Sequence, residues 1–224
     1  MNIRKQIASN VAIMLAFGLT AQAAEATKYF ARAGSKIRLE GTSNIHDWQM
    51  ESSLIGGFIE VGENFPTEPG QAVKPGKVDA KTEPFVMVRS LKSLKKDGTP
   101  YNDAMDNIMY KNMKAEEDPK AKVIFKLKDF VLKTVPTDKA APYECEATGD
   151  IVVAGETKTV TMPVKVLPMA DKKLKISGIA NVKMTDFKIE PPSPNIPGGA
   201  LIKTADEVKI IFEWVVGQKT AAAK

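Results

Sequence analysis

Strict alternation of apolar and polar residues is the feature that most limits how this chain can fold. In TVTMPVKV every second residue from Val160 to Val166 is apolar. The same period of two runs through KLKISGIANVKM, EVKIIFEWVV and AKVIFKL, where Phe125 lies on the apolar face, and PFVMVRS is a further such segment near Phe85 to Ser90. Since successive side chains of a β-strand point to opposite faces, these segments are predicted to be half-buried strands.

Several residues mark where these strands turn or bend. Gly155-Glu156 separates two apolar runs and predicts a hairpin turn. Gly178 lies within a predicted strand, where a bend or bulge is expected. At Thr185-Asp186 the alternation changes phase, because Phe187 is odd-numbered while the apolar residues before it are even-numbered. A bulge or turn is predicted there, and the proline-rich segment Pro191–Gly199 is predicted to be a loop.

One segment, TPYNDAMDNIMYKNMKAEEDP, breaks the strand pattern and predicts a short amphipathic helix. Thr99 is the expected N-cap and Pro100 the first helical residue, and Asp118-Pro119 would end the helix. Acids lie toward its start and lysines toward its end, which is the order that the helix dipole favours. Apolar residues fall at helical spacing on one face: Tyr101, Met105, Ile108, Met109 and Met113.

About eight or nine short strands and one helix predict an all-β fold, either a sandwich or a closed barrel. Nothing in the strand spacing indicates a repeat or a linker. Residues 24–217 are therefore expected to form a single domain, followed by a flexible tail at 218–224. The architecture bears on function because a barrel of about eight strands can hold one small ligand.

The first 23 residues have the features of a secretory signal peptide. Arg4 and Lys5 form a positive segment, Val11–Leu19 is apolar, and Ala21-Gln22-Ala23 matches the small-x-small pattern with cleavage after Ala23. The apolar run is shorter than the ~20 residues that a membrane span needs. The mature protein is therefore expected to be periplasmic or secreted.

Charge and composition exclude several kinds of site. The formal net charge of +5 comes mostly from scattered lysines, without the clustered basic and aromatic residues of a nucleic-acid surface. Transient contact with an anionic membrane surface stays open. Cys145 is the only cysteine and His46 the only histidine, so an intrachain disulfide and a Cys/His zinc site both lack the residues they need. No metal or other cofactor is expected, and Cys145 is expected to be a packed thiol.

The segment GTSNIHDWQM raises the question of catalysis because His46 stands beside Asp47 and Trp48. On a strand, His46 and Trp48 would share one face and Asp47 the other, so Asp47 could not orient the imidazole as in a Ser-His-Asp triad. No GxSxG elbow is present. Two interpretations stay open: the ring of His46 bonds to backbone near a barrel end with Trp48 packed as core, or His46 contacts a ligand. The enzymatic alternative is a Ser or Cys nucleophile from elsewhere in the chain, such as Cys145, paired with His46.

The methionine stripe of the helix also has two interpretations. It could cap the barrel core, or its flexible thioethers could line an adaptable pocket for a long apolar molecule. Both hold at once for a helix that lies across a barrel mouth. Lysines near the mouth could meet an anionic head group: Lys92, Lys95, Lys96 and Lys111. The predicted ligand-binding residues are His46, Trp48, Tyr101, Met105, Met109, Met113, Phe125 and Phe187.

Three segments, together with GTSNIHDW, are similar to a known family. They are the hairpin TGDIVVAGETKTVTMPVKV (Thr148–Val166), the segment VKMTDFKIEP (Val182–Pro191) and the closing strand TADEVKIIFEWVV (Thr204–Val216). Over roughly residues 28–217 the chain resembles the YceI-like family of periplasmic and secreted lipid-binding proteins.

The resemblance implies an extended, lipocalin-like antiparallel β-barrel of about eight strands with one short amphipathic helix. It also implies that the interior holds a long isoprenoid chain, such as a polyprenyl phosphate or an isoprenoid quinone. We therefore expect non-enzymatic binding, sequestration or transport of a long-chain apolar lipid. Two alternatives remain, an envelope interaction protein with a filled core and a lipid-modifying enzyme that uses His46. The oligomeric state is not indicated.

Overall fold

The computed structural model describes residues 26–101, 103–194 and 201–219. The predicted signal peptide lies outside these residues, as do the second half of the Pro191–Gly199 loop and the end of the predicted tail. Among the described residues, no helix has both the length and the apolar character needed to cross a bilayer. The extent of the single domain at 24–217 stays a prediction.

The described residues form thirteen strands, one α-helix and two short 3₁₀ turns. The first strands are β1 (Thr27–Ala31), β2 (Lys36–Gly41), β3 (Trp48–Ser52), β4 (Phe58–Val61), β5 (Gly76–Lys77), β6 (Ala80–Thr82), β7 (Phe85–Met87) and β8 (Lys92–Leu94). Helix α1 (Asp103–Asn112) follows, and then β9 (Lys122–Thr134), β10 (Tyr143–Val153), β11 (Glu156–Met169), β12 (Lys173–Lys183) and β13 (Glu207–Gln218).

All thirteen strands belong to one antiparallel sheet. The five long strands β9 to β13 pair in chain order. The other edge of β13 pairs with two different strands along its length. Its first half pairs with β2, while its last residues pair with β1. The predicted all-β, antiparallel, barrel-like fold with one short helix is confirmed. The strand count exceeds the predicted number of about eight because several strands have only two or three residues.

The sheet curls so that the alternating apolar residues face inward. Every second residue is buried throughout β10 and, from Met162 onward, in β11, as the period of two predicts. Strand β7 joins two edges of the sheet, since it pairs with β9 while Phe85 exchanges backbone hydrogen bonds of 2.8 and 3.1 Å with Gly56. The rings of Phe65 and Phe130 are buried in the core and stack with centroids 5.4 Å apart.

Two turn predictions need correction in detail. The β10–β11 hairpin is confirmed, but its turn is Ala154-Gly155, with φ of 52° and 89°, and Glu156 already pairs with Val153. Gly178 is not a bulge, because β12 and β13 pair without interruption through it. A Cβ at Gly178 would lie 2.8 Å from Cζ of Phe212, so the missing side chain makes room for this ring.

A β-bulge of the kind expected at Gly178 occurs instead between β9 and β10. The β9–β10 register shifts between Thr148 and Gly149. The inward-facing residues of β9 therefore change from odd-numbered positions around Phe125 to even-numbered ones. Phe130 and Leu132 are the buried residues after this change. A Cβ at Gly149 would lie 2.5 Å from the Lys126 carbonyl oxygen, so only glycine fits at this bulge without movement of the backbone.

The bounds of the helix also differ from the prediction. Thr99 is not an N-cap, because its amide and hydroxyl donate to the Asp97 carboxylate in a tight turn. Pro100 forms an isolated bridge with Leu94, and the helix begins at Asp103. It ends at Asn112, well before the predicted Asp118-Pro119 end.

Two further segments were predicted only in part. The phase change at Thr185-Asp186 is confirmed as a 3₁₀ turn, Met184–Phe187. Strand β7 is shorter than the predicted Phe85–Ser90, because Val88–Ser90 form a second 3₁₀ turn that leads the chain toward β8.

Candidate lipid-binding cavity

An apolar cavity of about 610 Å³ lies between α1 and the inner face of the sheet. Its walls include inward residues of β2, β3, β12 and β13, such as Leu39, Met50, Val182 and Val208. A smaller cavity of about 110 Å³ lies deeper in the barrel. Both cavities are lined by Val123, Ile151 and Ile210, so their walls are continuous along the barrel.

Helix α1 supplies the wall opposite the sheet. Met105, Ile108 and Met109 line the larger cavity, as does Met113 just beyond the helix end. Met109 and Met113 are also buried members of the core. The two interpretations of the methionine stripe therefore hold together, because these side chains cover the core and face open volume.

The structure brings seven of the eight predicted ligand-binding residues to one cavity. The larger cavity is lined by His46, Trp48, Tyr101, Met105, Met109, Met113 and Phe187. Phe125 lines only the smaller, deeper cavity. Ligand contact by these residues stays a prediction.

His46 lies at the mouth of the larger cavity, and its predicted place on a strand is wrong. β3 begins at Trp48, and His46 is an exposed residue of the loop before it. Its Nδ1 atom is 2.8 Å from the Asp47 carbonyl oxygen, and its Nε2 atom is 3.3 Å from the Tyr101 hydroxyl. The backbone contact expected for the ring is therefore present, although in a loop.

Among the described residues, the hydrogen bonds of the His46 ring go to the Tyr101 hydroxyl and the Asp47 carbonyl, and they form neither a Ser-His nor a Cys-His pair. The Asp47 carboxylate lies 3.7 Å from Nζ of Lys96 and does not bond the imidazole of His46. Cys145 is buried in β10 and does not line either cavity. Burial, followed by the charge of Glu144, raises the pKa of the Cys145 thiol to about 12. A thiol with such a pKa stays protonated and inert at neutral pH.

Trp48 is half-buried and packs against the core, as one of its two interpretations predicts, and it also forms part of the cavity wall. The absence of a side chain at Gly41 allows this position, since a Cβ there would lie 2.2 Å from Cζ2 of the indole. Among the described residues, the buried indole N–H groups of Trp48 and Trp214 have no hydrogen-bond partner. Trp214 lines the deeper cavity, so both tryptophans of the chain face the interior volume.

A buried carboxylate anchors the helix over the cavity. The side chain of Asp106 accepts hydrogen bonds from the Ser93 amide at 2.7 Å and from Nζ of Lys92 at 3.0 Å. Burial alone would raise the pKa of Asp106, but these bonds outweigh it and lower the pKa. One turn later, the Tyr110 hydroxyl donates to the Leu91 carbonyl at 3.1 Å. Both contacts tie α1 to the segment around β8.

The lysines predicted at the mouth separate into two groups. Lys92 is held by Asp106, and Lys111 does not line the larger cavity. Lys95 and Lys96 line an open, polar cleft outside the mouth. That cleft carries both signs of charge, and some of its charges are already paired, as Lys158 is with Asp186 at 2.7 Å. The bond from Lys158 is the main reason why the pKa of Asp186 is lowered.

Two loops at the mouth were missed as cavity walls from the sequence. The loop before β3 contributes Ser43 and Ile45, and the segment before β13 contributes Ile202 and Thr204. Asn44 joins the two loops through its side-chain amide. Its Nδ2 donates to the Leu201 carbonyl, and its Oδ1 accepts from the Lys203 amide. The isolated isoleucines in these polar loops were the only sequence signal.

No metal centre accompanies the cavity. Across residues 26–101, 103–194 and 201–219, no group of three or more His, Cys, Asp or Glu side chains is placed to hold a metal ion.

Comparison with known proteins relates this chain to a domain family. The model of the YceI-like domain matches residues 43–216. No curated protein matches the chain.

Solved structures share the architecture at low identity. A polyisoprenoid binding domain from Saccharophagus degradans, implicated in plant cell wall breakdown, is 9% identical and has a TM-score of 0.57, with 87% of this chain and 100% of that chain covered. BcnA of Burkholderia cenocepacia is 16% identical with a TM-score of 0.52, covering 81% and 95%. The Campylobacter jejuni YCEI protein is 16% identical with a TM-score of 0.50, covering 76% and 85%. At these identities the likeness establishes the fold.

Proposed function

Because the chain belongs to the YceI-like domain family, we propose that it binds a long-chain apolar lipid, an isoprenoid, inside its barrel. The lipid tail fills the two adjoining cavities, and its polar end lies at the mouth beside His46 and Tyr101. The protein stores or carries this lipid and does not modify it.

The observation that carries the proposal is the apolar cavity of about 610 Å³ with its deeper extension. Ligand pockets typically have volumes of about 300–1,000 Å³. Each methylene group moved from water into such a wall contributes about 0.8 kcal/mol, before the costs of association and ordering. A long hydrocarbon can therefore bind without a specific set of polar contacts.

The choice of an isoprenoid rests on the family and on the wall chemistry. The Saccharophagus degradans structure is described as a polyisoprenoid binding domain. Branched aliphatic residues such as Val182, Val208 and Ile210 and the thioethers of α1 suit a flexible, methyl-branched chain.

The open volume counts against the filled-core alternative. An envelope interaction protein that works only through its surface has no need of an unfilled interior, and such volume forfeits packing energy. Among the described residues, the ring of His46 hydrogen-bonds the Tyr101 hydroxyl and the Asp47 carbonyl rather than a Ser hydroxyl or a Cys thiol, which counts against a lipid-modifying enzyme with a Ser-His or Cys-His pair.

We also propose that the protein acts in the periplasm or outside the cell. The support is the sequence of the first 23 residues, with its positive, apolar and small-x-small segments. Mass measurement of the mature protein is expected to show a chain that begins after Ala23, and a retained N-terminus would contradict this localisation.

Tryptophan fluorescence tests the proposal, since both tryptophans line the cavities. Titration of lipid-free protein with menaquinone or decaprenyl phosphate is expected to give a saturable fluorescence change at one lipid per chain. The variant Trp48→Phe keeps only the deeper reporter, Trp214, and should respond only to chains long enough to reach it. No saturable response to either lipid would overturn the proposal.

A further inference from the structure

Three exposed apolar side chains surround the mouth of the larger cavity. They are Ile45, Tyr101 and Leu201, which are 47%, 38% and 45% exposed. Only two other large apolar residues of the described chain are exposed, Leu54 and Ile179. A single exposed leucine carries no information, but a cluster of apolar residues at one site indicates an interaction surface.

Hydrogen bonds hold the segments of these three residues together at the rim of the mouth, and the three side chains form what we call the lip. Nδ2 of Asn44 donates to the Leu201 carbonyl at 3.1 Å, and so Ile45 and Leu201 lie on joined loops. Tyr101 reaches the same loop through its contact with His46 at 3.3 Å.

Apolar surface continues from this lip into the barrel. Ile45 and Tyr101 are exposed and also line the larger cavity, and Ile202, next to Leu201, lines it too. A lipid tail that enters here would contact apolar side chains along its whole path.

Lysines beside the lip can contact phosphate head groups. Lys95 and Lys203 have no carboxylate within ion-pair distance among the described residues, and Lys96 is only loosely paired with Asp47 at 3.7 Å. Asp97 is an ionised acid beside Lys95, since hydrogen bonds from Thr99 lower its pKa, and it offsets part of this positive charge. Lysines near an anionic bilayer contribute about 1 kcal/mol each.

We propose that this lip, formed by Ile45, Tyr101 and Leu201, docks on the surface of a lipid bilayer and that the ligand passes through it directly between membrane and cavity. The inference rests on the lipid-binding function proposed above. Insertion of so few apolar side chains gives weak, reversible attachment, as a carrier that must leave the membrane requires.

Leu201 allows the docking step to be separated from binding, because it is exposed and does not line the larger cavity. Vesicles of phosphatidylethanolamine and phosphatidylglycerol that contain menaquinone are mixed with lipid-free protein, and uptake is followed by quenching of tryptophan fluorescence. Leu201→Glu is expected to slow this uptake at least about tenfold, the rate equivalent of burying one leucine side chain.

A matched control adds the same charge elsewhere. Leu54 lies beyond the end of β3 that is away from the mouth, so Leu54→Glu is expected to take up menaquinone from vesicles at the wild-type rate. Both variants should take up menaquinone from detergent micelles as the wild type does.

Equal vesicle uptake by Leu201→Glu and Leu54→Glu would overturn the docking proposal and leave lipid binding intact. Uptake whose rate does not rise with vesicle concentration would also overturn it, since the lipid would then leave the vesicle and travel through water. Failure of the wild type to take up menaquinone from micelles as well as vesicles would overturn the proposed function itself.

Discussion

Tyr101 and His46 meet across the mouth of the apolar cavity. The Tyr101 hydroxyl lies 3.3 Å from Nε2 of His46, and the two rings are tilted by 39° with centroids 5.7 Å apart. The contact joins the loop before β3 to the segment before α1, which the chain separates by 55 residues. Both residues line the larger cavity and are exposed, so their contact covers part of its mouth.

Removal of the Tyr101 ring is expected to speed lipid exchange. Tyr101→Ala opens the mouth, so the dissociation rate of bound menaquinone should rise by up to about tenfold. Tyr101→Phe keeps the ring and loses only the bond to His46, so its effect should be smaller. Stopped-flow displacement measures both rates, and equal rates for Tyr101→Ala and wild type would show that the ring does not limit exit.

A larger side chain at the junction of the two cavities is expected to exclude the lipid. Ile210 lines both cavities on β13, so Ile210→Trp fills shared volume, at a cost of about 1–3 kcal/mol in stability. Its neighbour Ile211 points to the opposite face and lines neither cavity. Ile211→Trp should keep the wild-type lipid content. Equal lipid content in the two purified variants would contradict the interior site.

Loss of the Asp106 carboxylate is expected to release α1 from β8. Asp106→Ala leaves the buried Ser93 amide without this acceptor, which should lower the free energy of unfolding by about 1–3 kcal/mol. Chemical denaturation of the variant and the wild type measures the difference. Asp103→Ala, an exposed acid in the same helical turn, is the matched control and should change stability little.

The same carboxylate predicts a pH dependence. The pKa of Asp106 is lower in the folded chain than its ordinary value, so its contribution to stability is complete above about pH 4 and is lost as the pH falls through the folded-state pKa. The stability difference between wild type and Asp106→Asn should therefore shrink between pH 7 and pH 3. A difference that is constant over this range would contradict the role of the charged form.

Cys145 is expected to be unreactive until the barrel unfolds. Its burial in β10 raises the pKa of the thiol to about 12, so almost no thiolate exists at pH 8. Because the chain has one cysteine, reaction with Ellman's reagent reports this residue alone. The native protein should show no fast reaction and the denatured protein one thiol per chain. Rapid labelling of the native protein would contradict the buried position.

Strand faces could be predicted because the period of two is a local property. The burial of every second residue from Met162 to Val166 follows directly from their apolar character. Strands β5 and β6 could not be found in this way, since two or three residues are too few for an alternation.

Errors arose where a side-chain hydrogen bond that the sequence pattern does not indicate decides the local structure. Thr99-Pro100 has the composition of a helix start. The Thr99 hydroxyl, however, donates a hydrogen bond to the Asp97 carboxylate, and the helix begins later, at Asp103. Asp106 looked like an ordinary acid of a first helical turn, because its partner on β8 is known only from the fold.

The cavity itself could not be derived from the sequence. The methionine stripe and Trp48 indicated which side chains face inward, and seven of the eight predicted residues line the larger cavity. Whether inward side chains meet or leave open volume depends on how far α1 stands from β13. The position of α1 depends on contacts such as those of Asp106 with β8, which have no sequence signature.

Native mass spectrometry tests the central claim most directly. The protein is purified without detergent from the envelope fraction of its own cells, measured intact and then extracted with solvent. We predict one added mass per chain that extracts as an isoprenoid, present in the wild type and Ile211→Trp and absent from Ile210→Trp. A wild-type protein that is lipid-free, and that stays so when polyprenyl phosphate and menaquinone are offered, would contradict the claim that the barrel holds an isoprenoid.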